Sequence, residues 1–454
     1  MKKVDKNPVL SGIMGLCVGD ALGVPVEFIS RESLKKKPVT DMCGYGTYHR
    51  PAGTWSDDTS MTLCLAESLA RSNQTNSGGM IEGPDYADIM TNFLKWYKEA
   101  EFTPHGEVFD VGTSTAAALE RFSCGTAPLE CGGTSERDNG NGSLMRILPL
   151  VFYLQSIYGT EFCEPVFKKQ MEDAFTIIHN VSALTHAHKR SKIACGIYLS
   201  VASKLLEAME LKTAVGMGIY QAVKYYREQR EYKDELAYFE RLRKDDFANL
   251  DEKMIKSSGY VVDTLEAALW CLLNTDNYRD CVLKAVNLGE DTDTVAAVAG
   301  GLAGLYYGYE SIPSEWLTAI AKQGYIEVLC NNLFASCNRR SISKICNYIP
   351  YFKTATKDSV CEFSPYPVYK QEFLDFIQAV YQTNLISFNY MEIIEQYGLD
   401  STSEMVRAID SADFELLKAI LTGYIRQERF CDGLWADAVG DKVFLNILKR
   451  MQLF

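Results

Sequence analysis

Two short acidic clusters combine hydroxyls and carboxylates in a way that suits cation chemistry. The first is Gly53-Thr54-Trp55-Ser56-Asp57-Asp58-Thr59-Ser60, and the second is Gly289-Glu290-Asp291-Thr292-Asp293-Thr294. Each runs directly into an apolar, helix-forming stretch, although the two lie far apart in sequence. Brought together by the fold, Ser56, Asp57, Asp58, Asp291, Asp293 and Thr294 form a cage of hard oxygen ligands. A cage without His or Cys suits Mg²⁺ or Mn²⁺ and is wrong for zinc. Helix capping is the plainer reading, since Asp, Ser and Thr favour N-caps and acids favour a first helical turn. Capping explains one acid in each cluster. It does not explain adjacent Asp57 and Asp58, or an Asp-x-Asp pair whose like charges repel unless a cation lies between them. The clusters therefore point to a metal-dependent hydrolase.

The elements that must position these acids read as helices. Residues 59–71 carry Met61, Leu65 and Leu69 on one apolar face. Residues 293–307 are apolar all round and rich in Ala and Gly, the composition of a central buried helix. Further helices are expected over 192–209, 212–226, 262–274, 371–386 and 413–427. No Gly-x-Gly-x-x-Gly follows a strand, and strand-like alternation is scarce, so the fold class is all-α. The mixed-charge stretch Tyr225 to Lys256 reads as a solvated helical face. Loops are expected at 72–84 and 131–143, the latter ending in Asp138-Asn139-Gly140-Asn141-Gly142-Ser143. Glycines allow close backbone approach, and the following Leu144-Met145-Arg146 can open a helix whose amides attract an anion. A loop of this composition is equally a plain turn, and Arg146 equally a structural arginine.

Composition limits the alternatives. The 454 residues carry a net charge of −13, with 47% hydrophobic and 23% charged side chains. That is ordinary for a soluble globular protein and argues against a nucleic-acid partner. Fourteen Cys occur without CxxC pairs, as expected for reduced thiols of a cytoplasmic protein. The basic start at Met1-Lys2-Lys3 lacks a convincing cleavage site, and no run is expected to reach the roughly 20 apolar residues that span a bilayer. Length favours two domains. The break falls where Tyr348, Pro350, Tyr351 and Pro365-Tyr366-Pro367 interrupt the helical rhythm, giving a main domain at 8–345 and a small helical domain at 346–454. The latter is acidic and resembles a small uncharacterised bacterial domain. It is expected to be either a protein-interaction module or a cover over part of the main domain, a stabilising helical appendage being the plainer reading.

Five segments, in order, resemble the ADP-ribosylglycohydrolase family: Gly12 to Phe28, Gly53 to Ser60, Gly140 to Arg146, Leu184-Thr185-His186-Ala187-His188, and Gly289 to Gly304. The resemblance implies one large helical domain with a binuclear metal centre, acting on ADP-ribosylated protein or on an ADP-ribosyl small molecule. It implies two Mg²⁺ ions, with Mn²⁺ as a substitute. Ser56, Asp57, Asp58 and Asp293 would hold one ion; Asp291, Asp293 and Thr294 would hold the other, with Asp293 bridging. Glu27, by itself most simply a surface acid, would face this centre and orient or deprotonate water, alongside Asp57, Asp58 and Asp293 as catalytic groups. Asn141, Gly142, Ser143, Leu144 and Met145 would contact phosphate and ribose, and His186 would contact ADP-ribose. Tyr45 is read as a substrate rim, Asp20 as a structural group, and Asp110, in a segment that follows a family pattern, as a further candidate. The reaction implied is cleavage of the bond between ADP-ribose and a protein side chain, most readily arginine. Serine-linked ADP-ribose, O-acetyl-ADP-ribose and a non-catalytic binding role are the alternatives.

Overall fold

Helix begins where the sequence supplies caps. In the computed structural model, which describes residues 6–72, 83–160, 162–164, 168–399 and 401–454, the helix Asp57–Arg71 starts at Ser56, whose hydroxyl accepts the Asp58 amide proton at 3.3 Å. The helix Thr292–Tyr307 starts at Asp291. Helices Lys189–Leu205, Leu211–Glu228 and Val261–Leu273 match the apolar periodicity. Among the described residues the regular strands are confined to one hairpin, Cys361–Phe363 with Pro367–Tyr369, antiparallel with Cys361 opposite Tyr369. The all-α reading holds. The loop expected at 72–84 lies largely outside the described residues.

The helix Pro8–Gly23 and the helix Thr292–Tyr307 are antiparallel and in backbone contact. A Cβ at Gly15 would lie 2.5 Å from the Gly300 carbonyl oxygen; one at Gly19 would run into the Ala296 carbonyl, and one at Gly23 into the Asp293 backbone. Glycine at every fourth position of the first helix lets the axes close until peptide meets peptide. This contact delivers Asp20 and Glu27 to the start of the second helix. It also corrects the expectation about long apolar runs: Pro8–Val26 is long and apolar enough to cross a membrane by length and composition, but nearly all of it is buried inside the protein.

Two further expectations fail for local reasons. No helix opens at Leu144: residues 141–147 form turns, and the next helix is Pro149–Tyr158, started by a proline at its first position. The charged stretch 225–256 is not one helical face. Leu211–Glu228 ends there, and short 3₁₀ turns follow, pinned by buried Tyr232, Phe239, Leu242, Phe247 and Ile255. Widely spaced apolar anchors were hidden among the charges.

The chain groups into two compact units. Asn7–Val151 and Cys163–Phe334 form one; the other is centred on Phe152–Phe162 and Ala335–Phe454. The second unit has its own core, in which the Phe352 and Phe376 rings lie 4.7 Å apart and Phe376 and Phe444 5.4 Å apart.

Candidate metal centre and active site

Asp57 and Asp58 occupy the first turn of their helix, where exposed amides favour anions, and both are buried. Asp20 holds that turn in place. Its carboxylate accepts the Ser56 amide at 2.9 Å, the Thr59 amide at 3.0 Å and the Thr59 hydroxyl at 2.5 Å. From the other cluster, Asp291 accepts the Asn141 side-chain amide at 2.7 Å, and Thr294 donates its backbone N–H to Asp293 at 2.9 Å. Asn141 also donates to Thr264 at 3.0 Å, so the glycine-rich loop braces the second cluster.

The fold unites the clusters. Carboxylate oxygens of Asp20, Asp58 and Asp293 lie within 4.8 Å of one another, and so do those of Glu27, Asp110 and Asp293. Asp293 belongs to both groups. Glu27 is 4% exposed, which overturns the reading of a plain surface acid. Asp110 reaches the group from a backbone held at φ 55°.

Burial and mutual repulsion push Asp57, Asp58 and Asp293 well above the ordinary carboxylate range. Burial first, then Asp110 and Asp291, raises Glu27 to about 9. Three buried oxygens, Glu27 Oε2, Asp58 Oδ1 and Asp293 Oδ2, have no hydrogen-bond partner. Unpaired carboxylate oxygens converging on one space are costly by themselves and are relieved by a cation. The donor set is all oxygen, so it fits a hard divalent ion. A third group, Glu136, His188 and Glu235, does not: the Arg190 guanidinium already lies 2.9 Å from Glu136 and 2.5 Å from Glu235.

The other sequence candidates divide. Tyr45 is 72% exposed. Ser143 and Leu144 are fully buried, and Met145 nearly so; the Ser143 hydroxyl accepts from Ser182 at 2.9 Å. Ser143 and Leu144 thus present neither side chain nor backbone at the surface. His186 is buried beneath Gly142, where a Cβ would come within 2.8 Å of its ring, and burial pulls its pKa down to about 3. It is a neutral imidazole, bonded to the Thr185 hydroxyl at 2.8 Å. His188 caps the next helix by accepting the Arg190 amide at 3.2 Å. Arg146 is fully buried, bonded to the Gly142 and Val181 carbonyls and placed 4.9 Å from the Phe93 ring centroid; it is structural.

Two residues escaped the sequence reading. Tyr48 interacts with Glu27 and Asp110, its ring 4.9 Å from Phe109. Thr115 has a buried hydroxyl without a partner, beside Gly142. Tyr48 directly follows Tyr45-Gly46-Thr47 and could have been found there. Thr115 carried no local signal.

A helical body presenting an all-oxygen acid cage beside a glycine-rich loop matches known proteins. The ADP-ribosylglycohydrolase family model covers residues 1–342, and the chain belongs to that family. Residues 338–454 match a family of unknown function (DUF6508). The chain is 33% identical to ADP-ribosylarginine hydrolase Tri1 of Serratia proteamaculans, over 71% of this chain and 77% of that protein. It is 30% identical to the ADP-ribosyl-[dinitrogen reductase] glycohydrolase of Rhodospirillum rubrum, over 68% and 89%. A solved structure of an ADP-ribosylglycohydrolase-related protein complex aligns with TM-score 0.55 and 30% identity, covering 73% of this chain and 98% of that one.

Proposed function

We propose that this enzyme hydrolyses the N-glycosidic bond between ADP-ribose and an arginine side chain of a modified protein. The observation that carries the reading is the convergence of unpaired Glu27, Asp58 and Asp293 oxygens from three separate segments. The names of the two bacterial relatives support arginine as the linkage.

Ser56, Asp57, Asp58, Asp291, Asp293 and Thr294 would hold divalent cations, Mg²⁺ first and Mn²⁺ as substitute, with Asp293 shared. Bound there, the cations supply charge that offsets the carboxylates, orients ribose hydroxyls and makes water more acidic. The chain's own groups do the rest. Asn141 keeps Asp291 aimed into the cage, and the absence of side chains at Gly140 and Gly142 lets the loop, which would contact phosphate and ribose, lie against His186. Cleavage builds oxocarbenium-like positive charge on the ribose, which the surrounding carboxylates stabilise. With cations offsetting Asp110 and the neighbouring acids, Glu27 would be ionised and its Oε2, buried and unpaired, would accept the proton of the attacking water, while Tyr48 holds that carboxyl by a hydrogen bond. Cytoplasm is the compartment we assign, in keeping with fourteen free cysteines. Residues 346–454 are assigned as a separate module for protein interaction.

Glu27→Gln tests the chemistry. Turnover should fall by roughly 10²–10⁴, with metal content unchanged by elemental analysis. A fall of less than tenfold at full metal occupancy would remove Glu27 from the proton transfer.

A further inference from the structure

Phe28 follows the buried acid Glu27, yet its side chain is 67% exposed. Its backbone is held at φ 64°, a conformation unusual for a bulky residue. What holds it there is the second acidic cluster. The Phe28 N–H donates to the Glu290 carbonyl at 2.7 Å, and the Glu290 N–H donates to the Ile29 carbonyl at 2.9 Å. Glu290, next to Asp291, is itself at φ 63°. Phe28 is therefore bracketed by Glu27 along the chain and by the start of the Asp291 cluster across space.

Tyr45 is presented in a similar way. It is 72% exposed at φ 59°, and its N–H donates to the Arg50 carbonyl at 2.6 Å. The two loops are stitched together: the Thr47 N–H donates to the Pro25 carbonyl at 2.9 Å, and the Thr47 hydroxyl to the Glu27 carbonyl at 2.8 Å. Neither ring stacks on another aromatic among the described residues. Strained backbone that leaves two large aromatic residues exposed, on the loops tied together at Pro25 and Glu27, is a feature of ligand sites rather than of packing.

We infer that Phe28, with Tyr45, forms a stacking platform for the planar guanidinium of the leaving arginine, and that it sets the linkage specificity of the site. The inference rests on the arginine reading above and deepens it. A guanidinium offers a flat cationic face that an aromatic ring binds; a serine oxygen or an acetyl ester offers none. The ADP-ribose half of the substrate is held by the acid cage and the glycine-rich loop, so this platform acts on the leaving-group side.

The test uses the full-length protein loaded with Mg²⁺, and compares wild type, Phe28→Ala, Phe28→Leu and Phe28→Trp. Their KM and kcat are measured on ADP-ribosylarginine, and the Kd of ADP-ribose, which lacks the leaving group, is measured by calorimetry. For Ala and for Leu, the KM for ADP-ribosylarginine should rise about tenfold relative to any change in the ADP-ribose Kd, as expected for a lost cation–π contact. Trp, which restores an aromatic face, should recover most of that loss. Three results would overturn the platform: an effect shared equally by ADP-ribose binding, a Leu variant that behaves as wild type, or a Trp variant no better than Ala. A wild-type protein inert towards ADP-ribosylarginine would instead sink the arginine reading, and the platform with it.

Discussion

Asp293 sits in both acid groups and keeps one buried oxygen unpaired, so its charge has two opposite consequences. With cations present it would be the shared ligand; without them it is one more repelling carboxylate. Asp293→Asn should therefore abolish activity and the thermal stabilisation given by Mg²⁺, while the metal-free protein melts no lower than wild type. Scanning calorimetry with and without Mg²⁺ checks both, and a metal-free variant that melts well below wild type would mark Asp293 as structural. Glu27 makes a pH prediction. Its pKa lies near the ordinary 4.5 in the unfolded chain and is raised to about 9 in the fold without cations. Below about 4.5 both states hold the proton. Above that the unfolded chain releases it first, so metal-free stability falls as pH climbs from about 4.5 through about 9. Melting curves in chelator should show that decline, and saturating Mg²⁺ should oppose it; a metal-free melting temperature that rises over this range would contradict the account. The two acidic clusters were legible because paired hydroxyls and acids exceed what capping needs, and the fold brings Asp58 and Asp293 from them together. The burial of Glu27 was legible only through family resemblance, because nothing local distinguishes it from a surface acid. Thr115 was not legible at all, since its place beside Gly142 depends on a distant loop.

At the scale of elements, the antiparallel pair Pro8–Gly23 and Thr292–Tyr307 sets the distance between the two halves of the site. Gly19 faces the Ala296 carbonyl with no room for a methyl group, whereas Gly216, inside Leu211–Glu228, has nothing within 4 Å of a built Cβ. Alanine should act oppositely at the two positions. Gly19→Ala should cost roughly 1–3 kcal/mol by overpacking and should weaken metal binding as the helices part. Gly216→Ala should gain about 0.5–1 kcal/mol by helix propensity. Urea midpoints measure both, and a neutral Gly19→Ala would mean that the helix pair yields. Apolar periodicity placed the main-domain helices at 59–71, 192–209, 212–226, 262–274 and 293–307 to within a few residues and left the others unread. It failed at 228–256, where single buried aromatics replace a continuous face, and at 144–148, where the helix waits for Pro149.

Over the whole molecule, sequence marked a change of character near residue 346, while the second compact unit also draws in Phe152–Phe162. That recruitment is non-local and leaves no trace in the sequence. The function rests on the first unit, which carries every acid of the cage. Its central claim is metal-dependent release of ADP-ribose from arginine, and the direct test is a side-by-side release assay. Arginine-linked, serine-linked and O-acetyl-linked ADP-ribose are each given to the full-length protein with Mg²⁺, with Mn²⁺ and with chelator. The account predicts fastest release from arginine, sustained by either ion and lost in chelator. Undiminished release in chelator, a preference for serine or acetyl linkages, or no release from arginine with either ion would contradict it.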